Sequence, residues 1–292
     1  MKNKRSLIIM AISLLGVVTA VSSAIIIFGS SRDKIAAGTD SPAVIANAAG
    51  ADSTAGIDSA TATDDTVDAG DTGLVGNTGN ADNISLPDIE TPESLLELKD
   101  KYPETAEFVD AYSKYYNSDF DIDLTDELTE GEIPLFIQWD KRWGYKTYGN
   151  DFFGVNGCGP TCLSMVVCGL TNDASWDPYS VALFSMDNDY YVKGQGTSWN
   201  LMTEGARNLG LTVESGRITQ WYIEHNLSSE SPMICSMEPG DFTYTGHFIV
   251  LTGIDDEGKI IVNDPNSYIN SDKHWDILDL LPQIKSIWCY RR

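Results

Sequence analysis

The sequence predicts an α+β domain in its C-terminal part, and three observations carry that prediction. Every tryptophan of the chain lies between Trp139 and Trp288, so the largest core-forming side chains are concentrated there. Helical runs at 159–169, 177–184 and 198–209 come first in this region. Strand-like runs at 211–215, 232–237, 246–254, 259–264 and 284–290 follow, and helices followed by strands imply N-terminal helices packed on an antiparallel sheet. A stretch of about 160 residues is enough to bury one sizeable core.

The first segment of the 292-residue chain is different in kind. Lys2, Lys4 and Arg5 precede an uncharged run from Leu7 to Phe28, 22 residues long, which as a helix would cross roughly 30 Å of hydrocarbon. The small residues Ser22, Ser23 and Ala24 do not end the run, because Ile25 to Phe28 continue it. Residues 1–30 therefore read as a cytoplasmic tip and an uncleaved signal-anchor transmembrane helix, with a cleaved signal peptide as the alternative. The basic flank places the N-terminus in the cytoplasm. The expected location is the cell membrane, single-pass, with the C-terminal domain extracellular and the N-terminal helix as its contact with the membrane.

Residues 36–90 are rich in Ala, Gly, Thr, Ser and Asp and contain no aromatic residue. Such a composition buries too little apolar surface to offset its ordering entropy, so 31–90 reads as a disordered acidic linker. As a flexible coil it would span on the order of 40 Å. The whole chain carries 43 acidic and 19 basic residues, a net charge of −24. No segment after the N-terminal tip has a basic excess, which excludes nucleic acid as an expected partner because phosphate binding needs clustered cations.

Residues 91–130 read as a helical extension. Thr91-Pro92-Glu93 offers a capping hydroxyl, a proline for the first turn and an acid beside it. After Pro103 a second helical pattern places Phe108, Tyr112 and Tyr115 on one face. The reading is an amphipathic extension packed on the domain 131–292, with peptide capture or a pro-segment role as alternatives.

Candidate chemistry begins at 157–162, GCGPTC. Pro160 suits the first turn of a helix, which puts Cys158 at a helix N-terminus, where free N–H groups favour a thiolate. The flanking glycines allow a tight backbone and close approach of a substrate. Cys162 and Cys168 read as core residues of the same helix. Cys235 and Cys289 could pair only if their strands are neighbours. Of three histidines, His225 and His274 sit in polar, surface-like contexts. His247 opens the strand GHFIVLTGI, with Gly246 leaving space in front of it.

The hairpin after His247 supplies a further candidate. A four-residue turn, Asp255 to Gly258, sets Ile254 opposite Lys259, Thr252 opposite Ile261 and Ile249 opposite Asp264. His247 then lies diagonal to Asp264 on one face. A two-residue turn sets them directly opposite, and a three- or five-residue turn separates them unless a bulge intervenes. An Asp that orients an imidazole completes a nucleophile–base–acid arrangement, and Asn263 is the fallback orienter. The Cys158 N–H and the Gln138 amide are the candidate oxyanion donors. Cys158 and Cys162 have CxxxC spacing but no second Cys/His pair to complete a zinc site, so neither metal nor cofactor is expected.

Together IPLFIQWDKRWGYKTYG, GCGPTCLSMV, GTSWNLMTEGARNLGL and GHFIVLTGIDDEGKIIVNDPN resemble the C39-like peptidases, a papain-like family of cysteine peptidases, over residues 131–292. The resemblance implies a papain-like fold in which the helix of Cys158 packs on a sheet carrying His247 and Asp264, and it makes Gln138 the oxyanion amide. The departure is spacing, since the insertion WDKRWGYKTYGNDFFGV separates Gln138 from Cys158. The expected function is an extracellular, membrane-anchored cysteine peptidase that cleaves a peptide or amide bond through an acyl-enzyme. Its expected partner is a peptide or protein substrate, a cell-wall peptide among the candidates. The alternatives are a cell-wall peptide amidase or transpeptidase with the same triad, and a non-catalytic cell-surface binding module.

Overall fold

The protein was analysed as a computed structural model that describes residues 89–292, all within the compact unit Thr78–Arg292. The segment expected to form the anchor, and all of the linker before Ile89, lie outside the described residues. Among the described residues no helix is long and apolar enough to cross a membrane. The longest has 14 residues, about 21 Å at the rise of an α-helix, against roughly 30 Å of hydrocarbon. The expectation of a transmembrane signal-anchor helix is thus met by no helix among the described residues.

The extension forms three short helices. Helix α1 (Glu93–Lys101) begins after Pro92, whose φ of −56° suits a helix start, and no side chain caps it. The Thr91 hydroxyl thus does not play the capping part expected of it. Leu95 and Leu98, on one side of α1, are buried. A 3₁₀ turn at Pro103–Thr105 leads into α2 (Ala106–Asp110) and then α3 (Tyr112–Tyr115). Phe108 and Tyr112 are buried, and Phe108 stacks on Tyr145 with ring centroids 4.3 Å apart. The Phe108 ring lies so close to Gly154 that a Cβ there would meet it at 2.9 Å. The Tyr145 hydroxyl donates to the Phe108 carbonyl at 2.6 Å. Full burial of such side chains stabilises by about 1.5–3 kcal/mol each, so the extension is an integral part of the fold.

Next, β1 (Thr147–Tyr148) and β2 (Asp151–Phe152) make a small antiparallel ribbon, and α4 (Phe153–Asn156) delivers the chain to α5 (Cys158–Thr171). Residues Gly159 to Cys168 of α5 are all buried. A helix apolar on every side belongs in the middle of a core, and α5 is the central helix here. It ends at Asn172, whose φ of 55° is the left-handed conformation that Asn tolerates. Helix α6 (Pro178–Asp187) packs beside it, its first N–H groups accepted by the Asp177 side chain. A second ribbon, β3 (Tyr191–Val192) and β4 (Gly196–Thr197), follows. A π-helical turn, Leu201–Gly205, then runs into α7 (Ala206–Asn208).

The sheet comprises β5 (Thr212–Ser215), β6 (Met233–Met237), β7 (His247–Ile254), β8 (Ile260–Asn263) and β9 (Ile284–Arg291), in the spatial order β5-β9-β6-β7-β8. All four pairings are antiparallel. Helix α8 (Gln220–Asn226) links β5 to β6, while α9 (Tyr268–Asp272) and α10 (Ile277–Leu280) link β8 to β9. Side chains alternate between the two faces. Ile234, Phe248, Val250, Trp288 and Tyr290 join the α5 core. Cys235, Ile249, Leu251, Val262 and Cys289 join a second core with Trp275 and Leu280. Strands β6 and β9 are neighbours, yet Cys289 faces Met233 and Cys235 faces Ile287. The two thiols are a diagonal apart, and all five cysteines are free. The result is the α+β architecture of helices on an antiparallel sheet that the sequence predicts.

Candidate active site

Cys158 is the first residue of α5, where the opening N–H groups of a helix have no intrahelical acceptor. It is partly exposed, whereas Cys162, Cys168, Cys235 and Cys289 are buried. Burial pushes the Cys162 thiol well above its ordinary pKa and that of Cys168 up to about 12. Only at Cys158 is the sulfur both reachable and next to helix N–H groups. The glycine on its C-terminal side has a packing reason. A Cβ on Gly159 would meet the Thr197 side chain at 2.7 Å, so Gly159 lets the β3–β4 ribbon close on the helix. The expectation that both flanking glycines make room for substrate is thus corrected: ribbon contact fills the space at Gly159, and Phe153 fills that at Gly157.

The hairpin that carries His247 solves its register in an unexpected way. Near the turn Ile254 pairs with Ile260 and Gly253 with Ile261, so five residues form the loop rather than four. A bulge between Leu251 and Gly253 then absorbs Thr252, and beyond it Leu251 faces Val262 and Val250 faces Asn263. One extra loop residue and one bulged residue cancel, restoring the register that a four-residue turn would have set. His247 Nε2 and Asp264 Oδ1 are 2.7 Å apart, with His247 7% and Asp264 1% exposed.

The Asp264 carboxylate is bonded on both oxygens. Oδ1 also accepts the Asn266 N–H at 2.9 Å, and Oδ2 accepts Asn270 Nδ2–H at 2.8 Å. Burial on its own would lower the His247 pKa. The Asp264 charge and hydrogen bond, followed by Cys158, outweigh it and push the pKa up to about 10. The Asp264 charge also helps to raise the pKa of Cys162 of α5 and of Tyr102 of the extension, after burial in each case. Asn263 points elsewhere, donating to the carbonyls of Pro134 and Ile133 at 2.9 and 3.2 Å.

Gln138 is buried beside the same cleft. Its backbone N–H donates to the Pro265 carbonyl at 2.8 Å, which ties it to the Asp264 loop. The long insertion between Gln138 and Cys158 folds back through β1, β2 and α4, so that Gln138 Nε2 reaches the Gly154 carbonyl at 2.8 Å. Nε2 also lies 3.5 Å from the Val155 carbonyl, a long and weak contact. Gln138, Cys158 and His247 share one cleft of about 990 Å³ with Trp199, Tyr102 and Tyr244. His225 and His274 are elsewhere: His225 stacks on Trp221 and His274 pairs with Asp255.

Sequence reasoning missed Asn270, and it missed that the extension supplies a wall of the cleft through Leu98 and Tyr102. Asn270 lies in a short polar stretch with no periodicity. The one available signal was Ser267, three residues ahead of it, as a helix cap.

A family model described as the Peptidase_C39 like family matches residues 130–291. No curated protein matches the chain.

Proposed function

The chain belongs to the Peptidase_C39 like family, and from that premise we propose that it is a cysteine peptidase acting through Cys158, His247 and Asp264. The observation that carries the reading is the buried 2.7 Å pairing of His247 Nε2 with Asp264 Oδ1 beside the partly exposed Cys158. With Nε2–H given to Asp264, the Nδ1 lone pair is free to take the Cys158 thiol proton. The raised pKa of His247 favours the resulting imidazolium–thiolate pair at neutral pH.

The thiolate attacks the carbonyl carbon of a peptide or amide bond. The Cys158 N–H and Gln138 Nε2–H accommodate the oxyanion. As the C–N bond breaks, imidazolium Nδ1–H protonates the leaving amine and the acyl group remains on Cys158. His247 Nδ1 then takes a proton from water, whose oxygen attacks the thioester. Collapse of that second intermediate expels the thiolate and releases the acid. Asp264 accepts a hydrogen bond throughout and keeps the imidazole turned towards the sulfur.

Brief alkylation with iodoacetamide across pH 4–9, read at each cysteine by mass spectrometry, tests this. Cys158 is expected to react far below the pH of an ordinary thiol, near 8.5. His247→Ala is expected to slow it at pH 6 by about 10². A Cys158 as slow as Cys162 in the wild type would sink the reading and leave a binding module in its place.

A further inference from the structure

We infer that the N-terminal extension is a functional part of this site: through Glu104 and the turn Ser267–Ser271 it holds Asp264 in orientation, with Asn270 as the positioning residue. The inference rests on the catalytic reading above and extends it to residues outside the matched region.

The connection is a continuous run of hydrogen bonds. Asn270 Nδ2–H donates to Asp264 Oδ2 at 2.8 Å. The Asn270 N–H donates to Ser267 Oγ at 3.0 Å, and that hydroxyl donates in turn to Glu104 Oε1 at 2.5 Å. The second carboxylate oxygen of Glu104 accepts the Ile269 N–H at 3.1 Å. The Asp264 N–H closes the turn by donating to Ser271 Oγ at 2.9 Å. Helix α9 is only five residues long, well short of the length at which a helix is stable by itself. Its geometry, and with it the aim of Asn270, therefore depends on outside groups, and Glu104 supplies two of the bonds.

Glu104 is itself firmly placed. It lies in the 3₁₀ turn Pro103–Thr105 between the buried anchors Leu98 and Phe108. One residue ahead of that turn, the Tyr102 ring meets Tyr244 at 5.9 Å, on the loop that precedes His247. The extension thus touches both chain segments that flank the imidazole–carboxylate pair.

The test uses the full chain as wild type, Glu104→Ala, Asn270→Ala, the double variant and His247→Ala. The readout is the pH profile of Cys158 alkylation, with melting temperature measured in parallel. Each single variant is expected to lower the rate at pH 6 about tenfold, the effect of one hydrogen bond to a charged group. The double variant is expected to match the more damaged single, because two members of one relay do not add. Glu104→Gln, which keeps one acceptor oxygen, is expected to recover part of the loss. If Glu104→Ala fails to fold, Glu104→Gln and Asn270→Ala together decide, and a wild-type profile in both overturns the inference. A lowered melting temperature with a wild-type alkylation profile overturns the inference, provided His247→Ala does lose the profile. A His247→Ala profile equal to wild type overturns the catalytic reading itself, and the relay with it.

Discussion

On the His247 side of the cleft both oxygens of Asp264 are engaged, by His247, Asn266 and Asn270, whereas on the opposite side Gln138 Oε1 is buried without a partner among the described residues. The contrast follows from charge. A buried carboxylate facing an imidazolium is tolerable only with its lone pairs satisfied. A neutral amide oxygen left bare costs about 1–3 kcal/mol, a strain that a stable core can carry at a functional site. The proposed base is thus held rigidly before any substrate arrives, while on the proposed oxyanion side Gln138 Nε2 is held closely by the Gly154 carbonyl alone.

The most severe challenge to this comparison is Asp264→Ala. It strands a buried imidazole that has lost its counter-charge, and the expected loss of stability is about 3–5 kcal/mol, measured by urea denaturation. Cys158 alkylation at pH 6 should fall with it. A loss under 1 kcal/mol would mean that the pair is not coupled to folding.

Gln138→Ala should act in the opposite pattern. A drop of about 10²–10³ in kcat is expected on a peptide substrate, with the alkylation pH profile unchanged. If the profile moves as well, the two sides are not separable and the comparison fails.

The pH dependence of stability sharpens the base side. The folded pKa of His247 is raised to about 10, above its unfolded value near 6.5. Its charged form therefore contributes stability that is complete below pH 6.5 and is lost as pH climbs towards 10. In a Cys158→Ala background, which is free of the thiol's own titration but also lacks its share in raising the His247 pKa, melting temperature should decline from pH 6.5 upwards over a narrower window, held open by Asp264. Each kcal/mol lost corresponds to about 2–4 °C, and Asp264→Asn should flatten the decline.

The smallest effect belongs to Gln138→Leu, which removes the bare oxygen along with the amide donor. Stability should change by no more than about 1 kcal/mol in calorimetry, in contrast with Asp264→Ala. A loss of 3 kcal/mol or more would show that the oxyanion side is as tightly built as the base side.

Much of this architecture is legible locally. The apolar run after GCGPTC, the proline within that hexapeptide and the tryptophan-rich strands identify α5 and the sheet, because a helix start and a strand alternation are written within a few residues. The types of Cys158, His247 and Asp264 name their chemistry for the same reason. Other features were illegible by nature. The five-residue loop and the bulge at Thr252 compensate each other, and a turn sequence read alone cannot reveal an error cancelled further along the strand. The insertion after Gln138 conceals that its amide returns to Gly154. Glu104 and Ser267 are 163 residues apart, and nothing in either neighbourhood signals the other.

By itself, then, the sequence determined the helix start that exposes Cys158, the strand pattern of the sheet, and the acidic character that argues against nucleic acid. Tertiary structure alone decided the bond between His247 and Asp264, the bare oxygen of Gln138 and the conversion of an extension into a wall of the cleft. The physical reason is range. Propensity and capping act through neighbouring residues, but burial, hydrogen-bond satisfaction and pKa depend on groups that only the folded chain brings together.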